Sequence, residues 1–149
     1  MTTIAYKDGI IAYDSRVTQG QTITSDRSSK LYRRNGVNFF VSGLVGEQEE
    51  LIKAYFAEDR SGFRIVDSHA IVDDNGKVFH FDNSRNDGYW KSPIDQYECF
   101  AIGSGTDHAL TAMDLGCSAA EAVKMAAKRD ACTGGRIRKH VVKRSRRVK

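Results

Sequence analysis

Apolar and polar positions alternate in short blocks along the first 42 residues, and the blocks predict paired strands. Thr3-Ile4-Ala5-Tyr6 and Ile10-Ile11-Ala12-Tyr13 are short apolar runs on either side of Lys7-Asp8-Gly9, a tight hairpin signal. Residues 14–28 are polar and rich in Ser and Thr, and read as a loop or short irregular strands. Residues 30–34 and 38–42 predict a second hairpin, turned by Asn35-Gly36. After Gly46 the period lengthens. Leu51, Ile52, Tyr55 and Phe56 form a stripe at helical spacing, with Glu47, Glu49 and Glu50 in the first turns where the helix dipole favours anions, so a helix is expected over 47–58. Residues 64–72 and 77–81 predict a third hairpin around Asn75-Gly76. Residues 82–96 are polar and read as a loop, and residues 97–102 as a strand entering the Gly103-Ser104-Gly105 turn.

Two helices follow. The first is expected over 106–115, with Ala109, Leu110, Ala112 and Met113 apolar and Gly116 as its stop. The second opens on Ser118-Ala119-Ala120-Glu121, a capping box. Its apolar set, Ala119, Ala122, Val123, Ala126 and Ala127, consists of small residues, which implies close packing on a sheet or on the first helix. A last strand is expected over 136–142. Hairpins first and helices later predict an α+β layered fold.

Composition narrows the class. A chain of 149 residues with 40% hydrophobic residues and one proline fits a single globular domain, here residues 1–142, followed by a basic tail, 143–149. No apolar run is long enough to span a membrane, and no leader pattern opens the chain. Cys99, Cys117 and Cys132 are odd in number and form no CxxC pair, so a reducing, cytoplasmic setting is expected, without a disulfide framework or zinc site. The net charge of +4 is a property of the end of the chain. Residues 136–149 hold eight positive charges and no negative ones, leaving residues 1–135 at −4. Such a tail reads first as a solvated terminus, and nucleic-acid binding is not expected.

The chemistry begins at the start of the chain. A small residue after the initiator methionine favours methionine removal, which would expose Thr2. That residue would then carry a hydroxyl nucleophile and, beside it, an α-amine able to act as its base. The ordered set Thr2-Thr3-Ile4, Lys7-Asp8-Gly9, Asp14-Ser15-Arg16, Thr18-x-Gly20, Lys30, Ser42-Gly43, Ile102-Gly103-Ser104-Gly105 and Asp130-Ala131-Cys132-Thr133-Gly134-Gly135 resembles proteasome β-subunits and their bacterial relative HslV. These are threonine peptidases of the N-terminal-nucleophile hydrolase class. The resemblance spans residues 2–46 and 98–137.

It implies a four-layer αββα sandwich with Thr2 at the start of a strand between the two sheets. It also implies a threonine endopeptidase in a self-compartmentalised homo-oligomer, acting on peptide or unfolded protein, without a cofactor and with an unfolding ATPase as candidate partner. By the same resemblance Thr2 Oγ attacks the peptide carbonyl, and Lys30 lowers the pKa of the nucleophilic system. Asp14 holds Lys30 charged and oriented, and Gly43 supplies an oxyanion-hole N–H. Ser104, Asp130 and Thr133 form the supporting shell around the amine. Val17, Ser28, Val41 and Val45 would line a small apolar pocket, and Thr18 would bind the substrate backbone as an added strand. Arg16 reads as a structural partner of its loop.

The chain departs from the family between Gly46 and the strand expected at 64–72. One short helix stands where the family has a longer pair, so one helical layer is reduced. The sheet face beneath it would need a partner subunit or unusual polarity. Two other readings stand beside the peptidase: a non-proteolytic amidohydrolase of the same nucleophile class, and a catalytically silent scaffold binding a partner or nucleic acid through its tail. His69 and His80, facing each other across the Asn75-Gly76 hairpin with Asp82 near, read as polar face residues rather than a metal site. Cys132 reads as a small buried residue.

Overall fold

A computed structural model of the chain describes residues 2–65, 67–84 and 88–144, with Ser84 described in its backbone alone. Met1 and residues 145–149, which include Arg146, Arg147 and Lys149 of the expected tail, lie outside the described residues.

Three hairpins set the sheets. Strands β1 (Thr3–Lys7) and β2 (Ile10–Tyr13) are turned by Asp8-Gly9. Strands β5 (Leu31–Arg34) and β6 (Val37–Ser42) are turned by Asn35-Gly36, and β7 (His69–Asp74) and β8 (Lys77–Ser84) by Asn75-Gly76. Both central residues of each turn have positive φ, from 50° to 86°. That is the conformation whose twist matches the flanking strands, and the reason Asp-Gly and Asn-Gly mark it in sequence.

Residues 14–28, read as a loop or short irregular strands, contain a two-stranded ribbon, β3 (Val17–Gln19) and β4 (Thr22–Ser25). The expected loop at 82–96 is a further strand, β9 (Gly88–Pro93), paired with a longer β8. In this mostly exposed edge strand only Tyr89 is half-buried, too little to impose an alternating pattern, and Pro93 at its end is tolerated there. The strand expected from residue 64 begins only at His69. Ser68, buried just before it, instead bonds the carbonyl of Leu44 and the carboxylate of Glu47 through its side chain.

The helices are α1 (Gln48–Phe56), preceded by a 3-10 turn (Val45–Glu47), α2 (Thr106–Asp114) and α3 (Ala119–Ala127). The capping box forms as the sequence predicts. Ser118 Oγ accepts from the Glu121 N–H at 3.2 Å, and the Glu121 carboxylate accepts from the Ser118 N–H at 3.3 Å. With β10 (Phe100–Gly103) and β11 (Arg138–Val141), the strands form a four-stranded sheet, β10-β1-β2-β11, and a five-stranded sheet, β5-β6-β7-β8-β9.

Three apolar layers hold these sheets in an αββα sandwich. The middle layer lies between the sheets: Ile4, Tyr6, Ile11 and Tyr13 meet Phe40, Ile71 and Val78. The alanine-rich faces of α2 and α3 lie on the outer face of the four-stranded sheet, against Ala5, Ala12 and Ala101. The small side chains allow this close approach. On the other side α1 sets Leu51, Ile52, Ala54 and Tyr55 on Phe39, Val41, Ala70, Val72 and Phe81. Each of these large side chains contributes about 1.5–3 kcal/mol by burial.

The reduced helical layer therefore still covers the centre of its sheet. The chain's own cations close the flank: Lys91 Nζ lies 4.6 Å from the centre of the Phe79 ring, and Arg60 Cζ lies 5.4 Å from that of Phe81. Arg60 also donates to the carbonyls of Ala54 and Tyr55, at 2.8 and 3.1 Å, at the C-terminal end of α1. Among the described residues no helix is long and apolar enough to cross a membrane.

Candidate active site

The start of β1 brings Thr2 to the edge of the inter-sheet layer, where its side chain is buried. Gly103 on β10 faces it across the register pair Thr3–Gly103. A Cβ at Gly103 would stand 1.8 Å from the Thr2 carbonyl oxygen, so only glycine allows the two strands this approach.

Asp14, just past β2, collects the donors around Thr2. Its Oδ1 accepts from the Thr2 hydroxyl and from the Thr3 N–H at 3.2 Å. Its Oδ2 accepts from the N–H groups of Gly134, at 2.9 Å, and Arg16, at 3.4 Å. Burial nevertheless pushes the Asp14 carboxyl up to about 6, outweighing these bonds and the nearby Lys30 charge. Lys30 is also buried, which lowers its ammonium from the usual lysine value against the pull of Asp14.

The expected contact between these two residues is not formed. Among the described residues no ion pair joins Lys30 to Asp14, and Lys30 Nζ donates to the Arg16 carbonyl at 2.6 Å. The carboxylate is already occupied by four donors, so the two charges act on each other through space.

A second network approaches Thr2 from the other side. Ser104 Oγ lies 3.4 Å from the Thr2 carbonyl oxygen and donates to Asp130 Oδ2 at 2.5 Å. Thr133 Oγ1 donates to the same carboxylate oxygen at 2.7 Å and lies 2.6 Å from Thr3 Oγ1, while the Cys132 N–H donates to Oδ1. Burial raises the Asp130 carboxyl, but the bonds from Ser104, Thr133 and the Cys132 N–H together hold it below the usual aspartate range. Ser104, Asp130 and Thr133, 29 positions apart at most, thus form one cluster. Arg16 clamps its loop: Nε and Nη2 donate to the Asp26 carboxylate at 2.9 and 3.3 Å, and Nη1 to the Ala131 carbonyl at 3.0 Å.

Of these groups Thr2, Lys30 and Cys132 border a cavity of about 340 Å³, while Asp14, Ser104, Asp130 and Thr133 are not among its lining residues. Thr2, Lys30, Gly43, Val17, Thr18, Val41 and Val45 all line it. Ser28 is not among the lining residues. Its N–H is bound to the Ser15 carbonyl at 3.1 Å. Sequence reasoning missed Gln48 on α1 and Asp67 in the segment before β7, which with Lys30 make the lining more polar than the small apolar pocket expected. Asp67 comes from a segment distant in sequence and carries no local signal, whereas Gln48 follows Val45 by three positions, a spacing that could have found it. Cys132, read as simply buried, is half-buried and faces the same cavity.

Gly43 is held against the segment that carries Asp67. Its φ is +124°, and a Cβ there would lie 2.6 Å from Ser68 Cα and 2.8 Å from the Asp67 carbonyl oxygen. The Leu44 N–H that follows donates to Ser68 Oγ at 3.2 Å. Away from the cavity, His69, His80 and Asp82 face one another across the hairpin as read from the sequence. Burial lowers both imidazoles from the usual histidine value, His80 to about 4.

No known protein family and no curated protein matches the chain by sequence. Solved structures do match by shape. Thiobacillus denitrificans BPH superposes with a TM-score of 0.71 at 18% identity, over 97% of this chain and 98% of that one. BPH from the same organism in complex with epoxomicin superposes at 0.70 with 17% identity, over the same shares. Eukaryotic HslV from Trypanosoma brucei superposes at 0.69 with 18% identity, over 94% of this chain and 97% of that one. The chain therefore has the HslV fold along nearly its whole length. At this identity the likeness is one of fold.

Proposed function

We propose that this chain, which shares the fold of BPH and HslV, is a threonine endopeptidase whose nucleophile is Thr2 after Met1 is removed. The carrying observation is that Thr2, Lys30 and Gly43 border one cavity, with Asp14 bound to the Thr2 hydroxyl. In this reading the freed α-amine of Thr2 takes the hydroxyl proton as Oγ attacks the scissile carbonyl carbon. The Gly43 N–H stabilises the oxyanion, and the nearby Lys30 ammonium favours the anionic forms. The C–N bond then breaks, the proton leaves with the amine product, and water hydrolyses the ester to free Thr2.

Ser104, Asp130 and Thr133 position the amine end of Thr2 and relay its proton. Among the described residues β3 pairs only with β4, so its other edge is open to a substrate strand beside Thr18. Val17, Val41 and Val45 receive the side chain before the cut, with Gln48 and Asp67 as polar neighbours.

Homo-oligomerisation belongs to the same proposal. Leu44, Val45 and Phe56 expose apolar surface around α1, and Leu115 and Met125 do so on the opposite helical layer. Peptides or unfolded proteins are the proposed substrates, with an unfolding ATPase as proposed partner and the cytoplasm as proposed location.

Intact mass of purified protein treated with epoxomicin tests the assignment. The expected product has lost Met1 and gained one inhibitor, located on Thr2 by peptide mapping. Processed protein that stays unlabelled, or carries the inhibitor elsewhere, contradicts it.

A further inference from the structure

His69 opens β7, and His80 and Asp82 lie two apart on β8. The β7–β8 register pairs Ile71 with His80 and Ala70 with Phe81. The two-residue period of a strand therefore puts His69, His80 and Asp82 on one face, that of Ile71 and Val78, turned toward the four-stranded sheet. His69 Nδ1 lies 3.0 Å from His80 Nε2. Asp82 Oδ2 lies 3.7 Å from the first nitrogen and 3.8 Å from the second.

The three side chains are held in place. The Trp90 and Phe100 rings stand 5.1 and 5.0 Å from the His80 ring, centre to centre. Asp82 Oδ1 accepts from the Asn83 N–H at 2.7 Å, which turns Oδ2 toward the imidazoles. None of the three lines the Thr2 cavity.

We propose that His69 Nδ1, His80 Nε2 and Asp82 Oδ2 are the protein ligands of a zinc-class divalent cation, with water in the fourth position. Ligand atoms about 2.0–2.1 Å from a tetrahedral zinc are about 3.3 Å from one another, and the three observed separations bracket that value. A hydrogen bond between the imidazoles accounts for the shortest separation alone. It leaves Asp82 Oδ2 beyond hydrogen-bonding reach of both rings, whereas a cation at the centre engages all three atoms. Two imidazoles and one carboxylate suit zinc, while Mg²⁺ and Ca²⁺ favour all-oxygen sites. The site is independent of the peptidase assignment.

The test uses the full chain after chelation, titrated with Zn²⁺ alone by calorimetry and with Co²⁺ by visible absorption. One equivalent of Zn²⁺ is expected to bind and raise Tm. Asp82→Asn, isosteric and part-exposed, is expected to weaken binding at least about 10-fold. His80→Phe, which keeps a ring between Trp90 and Phe100, is expected to abolish it. Circular dichroism of the metal-free variants checks their folding, and Asp82→Asn decides the matter if His80→Phe does not fold. Co²⁺ should give the absorption of a four-coordinate site without a thiolate charge-transfer band. Absence of saturable Zn²⁺ binding, binding unchanged in Asp82→Asn, or a thiolate band that places the metal on cysteine would each overturn the site.

Discussion

Lys30 reaches the carbonyl oxygen of Arg16, at 2.6 Å, and leaves Asp14 to the Thr2 hydroxyl and three backbone N–H groups. The lysine is anchored by a neutral acceptor, so its charge stays available to the cavity it lines. Two buried, oppositely charged groups without direct contact are each driven toward neutrality, which is the direction both take.

Asp14 therefore gives the protein a pH-dependent stability. Its folded value of about 6 lies above the ordinary 3.8, so the folded state binds this proton more tightly than the unfolded chain. That contribution is complete below the unfolded value and is lost as pH rises through about 6. It amounts to about 3 kcal/mol. Denaturant unfolding from about pH 4 to about pH 7 should show wild type losing stability relative to Asp14→Asn by an amount of that order. Parallel pH profiles for the two proteins would contradict the burial assigned to Asp14.

Gly43 should tolerate no side chain. Alanine there combines a positive φ with contact at 2.6 Å against Ser68 Cα, a backbone atom that cannot swing away. Gly43→Ala is expected to cost about 2 kcal/mol or more in denaturant unfolding and to lower peptide hydrolysis with it. A loss below about 0.5 kcal/mol would mean that the 67–68 segment yields freely.

The Ser104–Asp130–Thr133 cluster should behave as one device. Ser104→Ala and Asp130→Asn are each expected to lower kcat on a fluorogenic peptide by about 100-fold. The double variant should fall little further, because groups acting as a unit are non-additive. Fully multiplicative losses would separate the two residues.

Ser118→Ala offers the converse. It removes the N-cap of α3, whose loss costs about 1 kcal/mol, and it touches nothing in the cavity. Thermal unfolding should register the change, while kcat/KM at a temperature well below Tm stays at the wild-type value.

The legible parts of this chain are those whose signals are local. Asp8-Gly9, Asn35-Gly36 and Asn75-Gly76 mark turns because their geometry demands those residues, and Ser118 and Glu121 mark a helix start for the same reason. The ordered set around them singles out Thr2, Lys30 and Gly43, and the structure brings these three to one cavity. What stayed hidden depends on distant partners. Gly88–Pro93 becomes a strand because the edge of β8 is there to pair with it. Asp67 joins the cavity because Ser68 docks on Leu44 and Glu47, 24 and 21 positions away. Lys30 turns to Arg16 because Asp14 is already filled, and residue spacing carries no record of that competition.

The central claim is that Thr2 carries the chemistry, and the hydrolysis rate of Thr2→Ala protein with its mature N-terminus tests it most directly. Wild type with Met1 removed should cleave small fluorogenic peptides bearing an apolar residue before the cut. Thr2→Ser should retain part of that rate, and Thr2→Ala should show none above background, since no other hydroxyl has the α-amine beside it. Cleavage by Thr2→Ala at the wild-type rate would contradict the account and leave the likeness to HslV as one of fold alone.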